Sequence, residues 1–305
     1  MRVAITGGTG FVGRHLAAKL HDHEVVTLSR STGHHIDDSA GLAHALQGVD
    51  VIVHTAGINR EIGDQTYQRV HVDGTRALIE AAHSAGVQRL VMLSYVLARP
   101  LTGFSYHESK WQAEELVRNS GLDYTILKAG MIYGPGDHLL DHISRAVRTF
   151  PFFPAVGLHE RYIRPVPIDE MTDILRAAAL YEHFAMRNQT VTVLGAEQLL
   201  LTDVVRRTAK VLNRHVTIFP LPVVVHYTLA HLFEATMRVP LVAVAQVKML
   251  ADGVDHGHRL SVELPPHLQP QQPFTPELIR AGISPEGRFG LKDLLLLDRL
   301  RLRKR

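Results

Sequence analysis

Residues 2–13 have the sequence RVAITGGTGFVG, an apolar run that passes directly into a glycine-rich turn. The apolar run predicts a buried β-strand, and residues 11–20 predict a helix that begins at the turn. Glycines at such a junction permit a tight turn, let the backbone approach a pyrophosphate, and let the helix pack closely on the strand. The free N–H groups at the start of the helix then bind the phosphates. The stretch therefore predicts a dinucleotide-binding site formed by Gly7, Gly10, Phe11, Val12 and Gly13.

The end of the second predicted strand distinguishes between the two nicotinamide dinucleotides. A carboxylate at this place binds the ribose hydroxyls of NAD, whereas a basic residue accommodates the 2′-phosphate of NADP. The strand at residues 24–29 is followed by Arg30, and no acidic residue stands beside it. A guanidinium is well suited to a phosphate. The sequence therefore favours NADP(H), with Arg30 as a cofactor-binding residue, and NAD(H) stays open as the alternative.

The first part of the chain alternates short apolar runs with longer helical segments. This order is typical of a parallel sheet with helices on both faces, and continuous Val, Ile and Leu runs suit strands that are covered on both sides. We therefore predict an α/β fold: a Rossmann-type doubly wound parallel sheet with a smaller, mainly helical C-terminal portion. The nucleotide-binding domain is predicted at residues 1–195 and the substrate or cap portion at residues 196–305. Val191 to Leu194 are expected to add a last strand to the sheet.

Composition excludes several classes of protein. The 305 residues carry a formal net charge of only +3, which does not indicate a nucleic-acid-binding protein. The absence of cysteine excludes disulfides and thiolate catalysis, and it fits a cytoplasmic protein. We expect neither a secretory signal nor a transmembrane span. The many histidines include His256 and His258, which lie near two aspartates, but a solvated loop is the better interpretation, and we predict no metal site.

Tyr106 and Lys110 have the spacing expected of a catalytic acid and its helper. Residues four positions apart lie on one face of a helix, one turn from each other. A nearby cation is expected to lower the pKa of the phenol, so that Tyr106 exchanges a proton near neutral pH. Together with a hydride from the cofactor, this proton would reduce a carbonyl group, or the reverse reaction would oxidise an alcohol.

Taken together, these motifs resemble the short-chain dehydrogenase/reductase superfamily in its extended or atypical branch, nearest the group that includes the NADPH-binding accessory subunit of respiratory complex I. The resemblance extends over about residues 1–195. The segments that carry it are the glycine turn at residues 6–13, His54-Thr55-Ala56-Gly57, Val72-Asp73-Gly74-Thr75, Ser94, Tyr106 with Lys110, and Ile132-Tyr133-Gly134-Pro135-Gly136-Asp137.

The resemblance implies roles for individual residues. Tyr106 and Lys110 correspond to the catalytic pair, and Lys110 is also expected to bind the nicotinamide ribose. Ala56 and Gly57 are expected to line the adenosine side of the cofactor. Many members carry a catalytic Ser or Thr just beyond Ser94, where this chain has Tyr95-Val96, so Ser94 is assigned that role. The chain also departs from the pattern with His71 in place of an Asn and with Lys128-Ala129 in place of Arg-Pro.

The sequence leaves three functions open. The first is an NAD(P)-dependent oxidoreductase that acts at a carbonyl or alcohol carbon of a small-molecule substrate. The second is an NADP(H)-binding regulatory or assembly protein with little catalysis, which the three departures favour. The third is an NAD-dependent sugar-nucleotide epimerase or dehydratase. The apolar ending at residues 289–302, flanked by arginines, predicts either a helix packed on the domain or a peripheral contact with a membrane or a protein.

Overall fold

A computed structural model describes residues 1–100, 103, 105–180, 186–237, 240–252, 261–283, 285, 287–290 and 293. The strands are β1 (Arg2–Thr6), β2 (Glu24–Leu28), β3 (Val51–His54), β4 (Arg89–Tyr95), β5 (Asp123–Ala129), β6 (Ile132–Tyr133), β7 (Phe152–Val156), β8 (Tyr162–Ile163), β9 (Val166–Pro167), β10 (Gln189–Val193), β11 (Leu199–Leu200), β12 (Thr217–Leu221) and β13 (Val262–Glu263). The α-helices are α1 (Phe11–Lys19), α2 (Ser39–Ala45), α3 (Gly74–Ala85), α4 (Ser105–Arg118), α5 (His138–Thr149), α6 (Ile168–Ala179), α7 (Leu201–Val211), α8 (Val223–Thr236), α9 (Val244–Asp252) and α10 (Pro276–Gly282).

The described residues form two compact units, and the chain passes between them several times. The first unit takes the described residues of Met1–Gly130, Ile168–Leu194 and His256–Pro270. The second takes those of Met131–Pro167, Gly195–Asp255 and Gln271–Arg305. One of these crossings falls at the predicted boundary of residue 195, and residues 131–167 pack with the second unit. The two-domain division at residues 1–195 and 196–305 stays a prediction.

The first unit is built on a seven-stranded sheet in the order β13-β10-β5-β4-β3-β1-β2. All of the neighbouring strands run parallel. Helices α2, α3 and α4 cover one face through a core that contains Leu42, Leu78 and Val117, and α6 packs on β3, β4 and α1. The predicted Rossmann-type sheet is thus confirmed. Because β1 lies between β2 and β3, the strand order reverses there, and ligands bind such sheets beyond the carboxyl ends of the strands at this point.

Three details of the first unit differ from the sequence pattern. The helix that carries Tyr106 begins at Ser105, so that the tyrosine lies in its first turn. A π-helical turn at Gln68–Asp73 precedes α3. A short strand, β13, pairs with β10 at the sheet edge. With only two residues it has no periodicity of its own, and tertiary pairing alone makes it a strand.

The second unit combines short paired strands with helices. Strands β6 and β9 pair in parallel, as do β7 and β12, whereas β8 and β11 pair antiparallel. Asp137 caps the start of helix α5, and its Oδ1 accepts the Leu140 N–H at 2.6 Å. The hydrophobic core of the second unit includes Val156 from β7, Ala230 from α8 and Val247 from α9.

The remaining predictions concern membrane spans, metal sites and the C-terminal tail. Among the described residues, no helix has the length and apolar character required to cross a membrane. Within the same residues, no three or more His, Cys, Asp or Glu side chains come together in a way that suits a metal ion. His256, His258 and most of the tail at residues 289–302 lie outside the described residues.

Candidate functional site

The glycine turn joins β1 to α1 where the strand order reverses. Gly7 has a φ of +68°, and a Cβ on it would lie 2.8 Å from the Cα of Ala56. A Cβ on Gly13 would lie 2.6 Å from the Cα of Gly8. Neither backbone contact can yield to a side chain, so the turn requires glycine at both places. The Gly10 cap has no side chain, and the first turn of α1 has no acidic residue, so its N–H groups remain open to an anion.

Hydroxyl groups connect the end of β2 to the glycine turn. Ser31 Oγ lies 3.0 Å from Thr9 Oγ1 and 2.9 Å from Ser29 Oγ. Arg30 is exposed between these two serines, and within the described part of the chain it has no ion-pair partner. The first acid beyond the strand, Asp37, is held by Arg69, whose Nε lies 2.7 Å from its Oδ2. The turn after β2 therefore offers hydroxyls and a cation where NAD-binding enzymes present a carboxylate.

The loop after β3 lies against the predicted catalytic lysine. Its Ile58 N–H donates to His71 Nε2 at 3.1 Å, and a Cβ on Gly57 would lie 3.0 Å from Lys110 Nζ. Burial, followed by the charge of Lys110, holds the pKa of His71 well below its usual value. The neutral ring accepts at Nε2, so its Nδ1 carries the proton and donates to Ser109 Oγ at 2.9 Å. His71, which stands where the family pattern has an Asn, therefore anchors the loop that contains Ala56 and Gly57.

Tyr106 lies in an aromatic cage beside this loop. Its ring packs edge-on against Tyr67 and Tyr95, each with 5.5 Å between centroids, and against His71 at 5.7 Å. Its hydroxyl donates to Asn59 Oδ1 over a long 3.5 Å. Burial, followed by Tyr67, raises the pKa of the phenol above its usual value. The prediction that Lys110 lowers this pKa is therefore wrong, because exclusion from water dominates in the cage.

Lys110 is 8% exposed, and its pKa shifts in the opposite direction to the pKa of Tyr106. Burial lowers the pKa of Lys110 to about 8, against a smaller raising effect of Glu114. At pH 7 the ammonium therefore keeps its proton while Tyr106 is a neutral phenol. Among the described residues Lys110 Nζ has no hydrogen-bond acceptor, although ammonium groups have three donors to satisfy. The site thus contains one neutral acid and one cation that is ready to bind a ligand oxygen.

Ser94 has a partner other than the predicted substrate. Its hydroxyl donates to Glu114 Oε1 at 2.6 Å, and this carboxylate also accepts from Arg118 Nη2 at 2.6 Å and from Lys128 Nζ at 3.0 Å. The proton of Ser94 is therefore directed at Glu114. The catalytic role of Ser94 stays a prediction, and it requires the hydroxyl to rotate away from this bond.

Sequence reasoning assigned no role in the site to three residues that the structure places there. Glu114 lies four positions after Lys110, a spacing that identifies it as a neighbour on the same helix face. Lys128 replaces the usual Arg and forms an ion pair with Glu114 beneath the site. His54, at the end of β3, bonds Thr6 Oγ1 and Thr75 Oγ1, and burial lowers its pKa to about 3. Only the Glu114 spacing is visible without the fold.

The residues present fit a dinucleotide. The glycine turn forms a cradle that a Cβ would fill, Arg30 and two serines follow β2 beside it, and Lys110 Nζ lies near Gly57 without an acceptor among the described residues. Residues 7–138 match a family of NAD(P)H-binding domains. This match covers the turn, the loop after β3 and the Tyr106–Lys110 helix.

Comparison with known proteins gives relatives with different activities. The chain is 34% identical over 181 residues to a ceramide reductase of Caulobacter vibrioides, covering 52% of this chain and 55% of that protein. It is 30% identical over 151 residues to the photosystem II assembly factor Ycf39 of Synechocystis, covering 44% of this chain and 46% of that protein. The chain thus spans about half the length of these relatives.

A solved structure with the same fold is UDP-glucuronic acid 4-epimerase from Bacillus cereus in complex with NAD. It superposes with a TM-score of 0.62 at 19% identity, covering 73% of this chain and 87% of the epimerase. At this identity the likeness concerns the fold alone. It confirms the predicted Rossmann-type fold, and the family match over residues 7–138 shows an NAD(P)H-binding domain.

Proposed function

We propose that this chain, an NAD(P)-binding protein of the short-chain dehydrogenase/reductase type, is an NADPH-dependent reductase of a carbonyl group. One observation carries the proposal: a buried neutral phenol and a buried cation lie in consecutive turns of α4, next to the loop that follows β3. A binding module has no need of an acid and a cation at this spacing. When bound, the cofactor supplies the hydride.

The cofactor-binding residues favour the phosphorylated dinucleotide. The N–H groups of the Gly7–Gly13 turn and of the first turn of α1 would hold the pyrophosphate. Arg30, with the hydroxyls of Ser29 and Ser31, would hold the 2′-phosphate, because charge-assisted bonds from a guanidinium to phosphate are strong. Lys110 would donate to the nicotinamide ribose. NAD lacks the group that Arg30 would bind and is expected to bind more weakly.

Tyr106 would act as the general acid. As the carbonyl carbon accepts hydride, its oxygen gains negative charge and takes the phenolic proton, which gives the alcohol. The cation of Lys110 would stabilise the phenolate that Tyr106 becomes, and solvent would return the proton. The phenol is protonated at pH 7, as the reductive direction requires. Alcohol oxidation and sugar epimerisation both need it to begin as a base.

A lipid carbonyl is the substrate class that we propose. The support comes from a relative, a ceramide reductase, that is 34% identical to this chain over about half of its own length. An oxidised ceramide is therefore the first substrate to test, and short ketones and a sugar nucleotide serve as comparisons.

The test compares wild type with Tyr106→Phe. The chain has a single tryptophan, Trp111, adjacent to Lys110, so energy transfer from its fluorescence reports NADPH binding. We expect Tyr106→Phe to keep NADPH binding and to lose about 10²–10⁴-fold in kcat/KM, the contribution typical of a general acid. Tyr124→Phe, a half-buried tyrosine on β5, is the matched control and should retain activity. Equal turnover by Tyr106→Phe, or failure of the wild type to bind NADPH, would refute the proposal.

A second candidate is a cofactor-binding assembly or regulatory protein with little turnover. The specific observation in its favour is that Ser94 donates to Glu114, which removes the hydroxyl donor expected beside Tyr106. The assembly factor among the relatives also supports it. This candidate predicts tight NADPH binding with no reduction of any carbonyl by either wild type or Tyr106→Phe. A peripheral contact of the tail at residues 289–302 with a membrane or a protein belongs to the same candidate and stays a proposal.

A further inference from the structure

The second unit exposes large apolar side chains on strands β7 and β12, on the loop after β7 and on α8. We call this set the apolar face. Its most exposed members are Val224 at 70%, Leu158 at 64% and Leu232 at 54%. The others are Phe152 and Phe219. Scattered single apolar residues are normal on protein surfaces, whereas a contiguous group marks an interaction site.

Contacts within the unit join two of these residues and bring together the segments that carry two others. The rings of Phe152 and Phe219 lie 6.3 Å apart on the two parallel strands. At the other end of the strands, the Gly157 N–H donates to Leu221 O at 2.9 Å, and a Cβ on Gly157 would lie 3.4 Å from Val223 Cγ2. Leu158 and Val224 each follow one of these contacting residues in the chain. The segments that carry Leu158 and Val224 therefore lie side by side where β7 and β12 end.

Helix α8 presents an unusual outward side. Its inward side packs His226 and Ala230 into the unit. The exposed positions are Val224, Val225, Thr228, His231, Leu232 and Ala235. Surface helices normally place charged residues on this side. The single acid of α8, Glu234, is half-buried and accepts the Val244 N–H at 3.0 Å.

Two exposed charges, Arg161 and Arg214, lie next to the apolar face in the chain, and both are positive. Arg161 follows Leu158 on the loop, and Arg214 precedes β12, whose Thr217 pairs with Phe152. Both arginines are exposed, and neither has a carboxylate partner in the described portion of the chain. The neighbouring acid Glu160 accepts the Thr202 N–H at 3.0 Å and is half-buried. The border therefore complements a negative surface, and a second copy of the same face would meet like charges.

We propose that the apolar face, with Arg161 and Arg214, docks on the surface of an anionic lipid bilayer. Exposed Phe, Leu and Val beside arginines are the combination by which interfacial proteins bind membranes, through apolar burial and attraction to anionic headgroups. The inference rests on the proposed function, because a reductase of a lipid carbonyl must take its substrate from a bilayer. Docking on the bilayer brings the protein to that source.

The experiment is sedimentation of the full chain with phosphatidylcholine vesicles, with and without phosphatidylglycerol. We expect binding that is stronger with phosphatidylglycerol and weaker in high salt. Leu158→Glu and Val224→Glu should each reduce the partition coefficient about tenfold, because each removes a mostly exposed aliphatic side chain from the contact. Arg161→Glu should remove the preference for phosphatidylglycerol.

Matched controls give the outcomes that overturn the proposal. Ile62→Glu changes a residue of the first unit that is 60% exposed, and it should bind vesicles as wild type does. An equal loss with Ile62→Glu, or no binding by wild type, refutes docking. Loss with Leu296→Glu in the tail but not with Val224→Glu assigns the contact to the tail instead. A dimer that Val224→Glu separates, without vesicle binding by wild type, identifies the face as a contact between copies.

The same assays separate this proposal from the proposed function. Vesicle binding is measured without cofactor or substrate, and lipid reduction is measured in detergent micelles, where no bilayer is needed. Reduction in micelles without vesicle binding refutes the docking face alone. Vesicle binding that Leu158→Glu and Val224→Glu both weaken supports the docking face, whatever reduction is observed.

Discussion

The substitution Glu114→Gln tests the ion pair beneath the candidate site. Glu114 is fully buried and Lys128 is 1% exposed, with an N–O distance of 3.0 Å. Lys128 Nζ also donates to Ala98 O at 2.6 Å, which fixes the segment that follows β4. Glutamine preserves the shape of the side chain and removes its charge. Lys128 is then left as a buried cation without a counter-charge, and burial already lowers its pKa.

The structure sets the expected size of the effect. Removing one partner of a buried pair costs about 3–5 kcal/mol, because the remaining charge stays desolvated. Glutamine keeps an acceptor for Ser94, and Arg118 keeps its pairing with Glu115, so we expect the lower end, about 3 kcal/mol. Glu115→Gln is the control: its side chain is 45% exposed and, within the described residues, forms an ion pair with Arg118 alone. Such a surface pair contributes about 0–1 kcal/mol.

The free energy of unfolding of both variants is measured by urea unfolding at pH 7. We expect a lower midpoint for Glu114→Gln at an unchanged slope, since the surface exposed on unfolding stays the same. The double variant Glu114→Gln/Lys128→Met should recover most of the loss, because no unpaired charge remains buried. The deficit of Glu114→Gln should also shrink as pH rises. The pKa of Lys128 is lower in the folded than in the unfolded chain, so the unfolded chain binds more protons and stability increases with pH.

Two results would refute this reasoning. If Glu114→Gln is no less stable than Glu115→Gln, the buried pair does not stabilise the fold by the mechanism described. If the double variant is less stable than Glu114→Gln alone, Lys128 contributes through its bond to Ala98 O rather than through the ion pair.

Three other predictions concern the cofactor and the catalytic pair. Gly13→Ala should abolish NADPH binding, measured by tryptophan fluorescence, because its Cβ would overlap backbone, while Gly290→Ala, with open space around it, should bind normally. Arg30→Ser should weaken NADPH binding by about 10–100-fold and leave NADH unchanged, since only the 2′-phosphate contact is lost; equal effects on both would contradict the assignment. With the pKa of Lys110 lowered to about 8, kcat/KM should fall above about pH 8 as the cation is lost, and a flat profile beyond this pH would exclude its role. The unfolded chain binds more protons than the folded one between about 8 and 10.5, so the Lys110 contribution to stability rises with pH there.

The relation between sequence and function is uneven along this chain. The glycine turn could be recognised without the fold because a strand, a tight turn and a helix start are local features within residues 2–13. Arg30 was identifiable for the same reason, as it stands directly after β2. The Tyr106–Lys110 pair lies on one helix, so its spacing also gives its geometry.

What the sequence by itself determined is therefore the sheet, the cradle for a dinucleotide and the identity of the acid–cation pair. Only the tertiary structure decided the protonation of that pair, since the side chains that exclude water from Tyr106, among them Tyr67 and Tyr95, come from distant parts of the chain. It also showed what His71 and Lys128 do in place of the expected residues: one anchors the loop after β3, and the other forms an ion pair with Glu114. Electrostatic energies depend on distance and on exclusion of water, and neither quantity is written in the order of the residues.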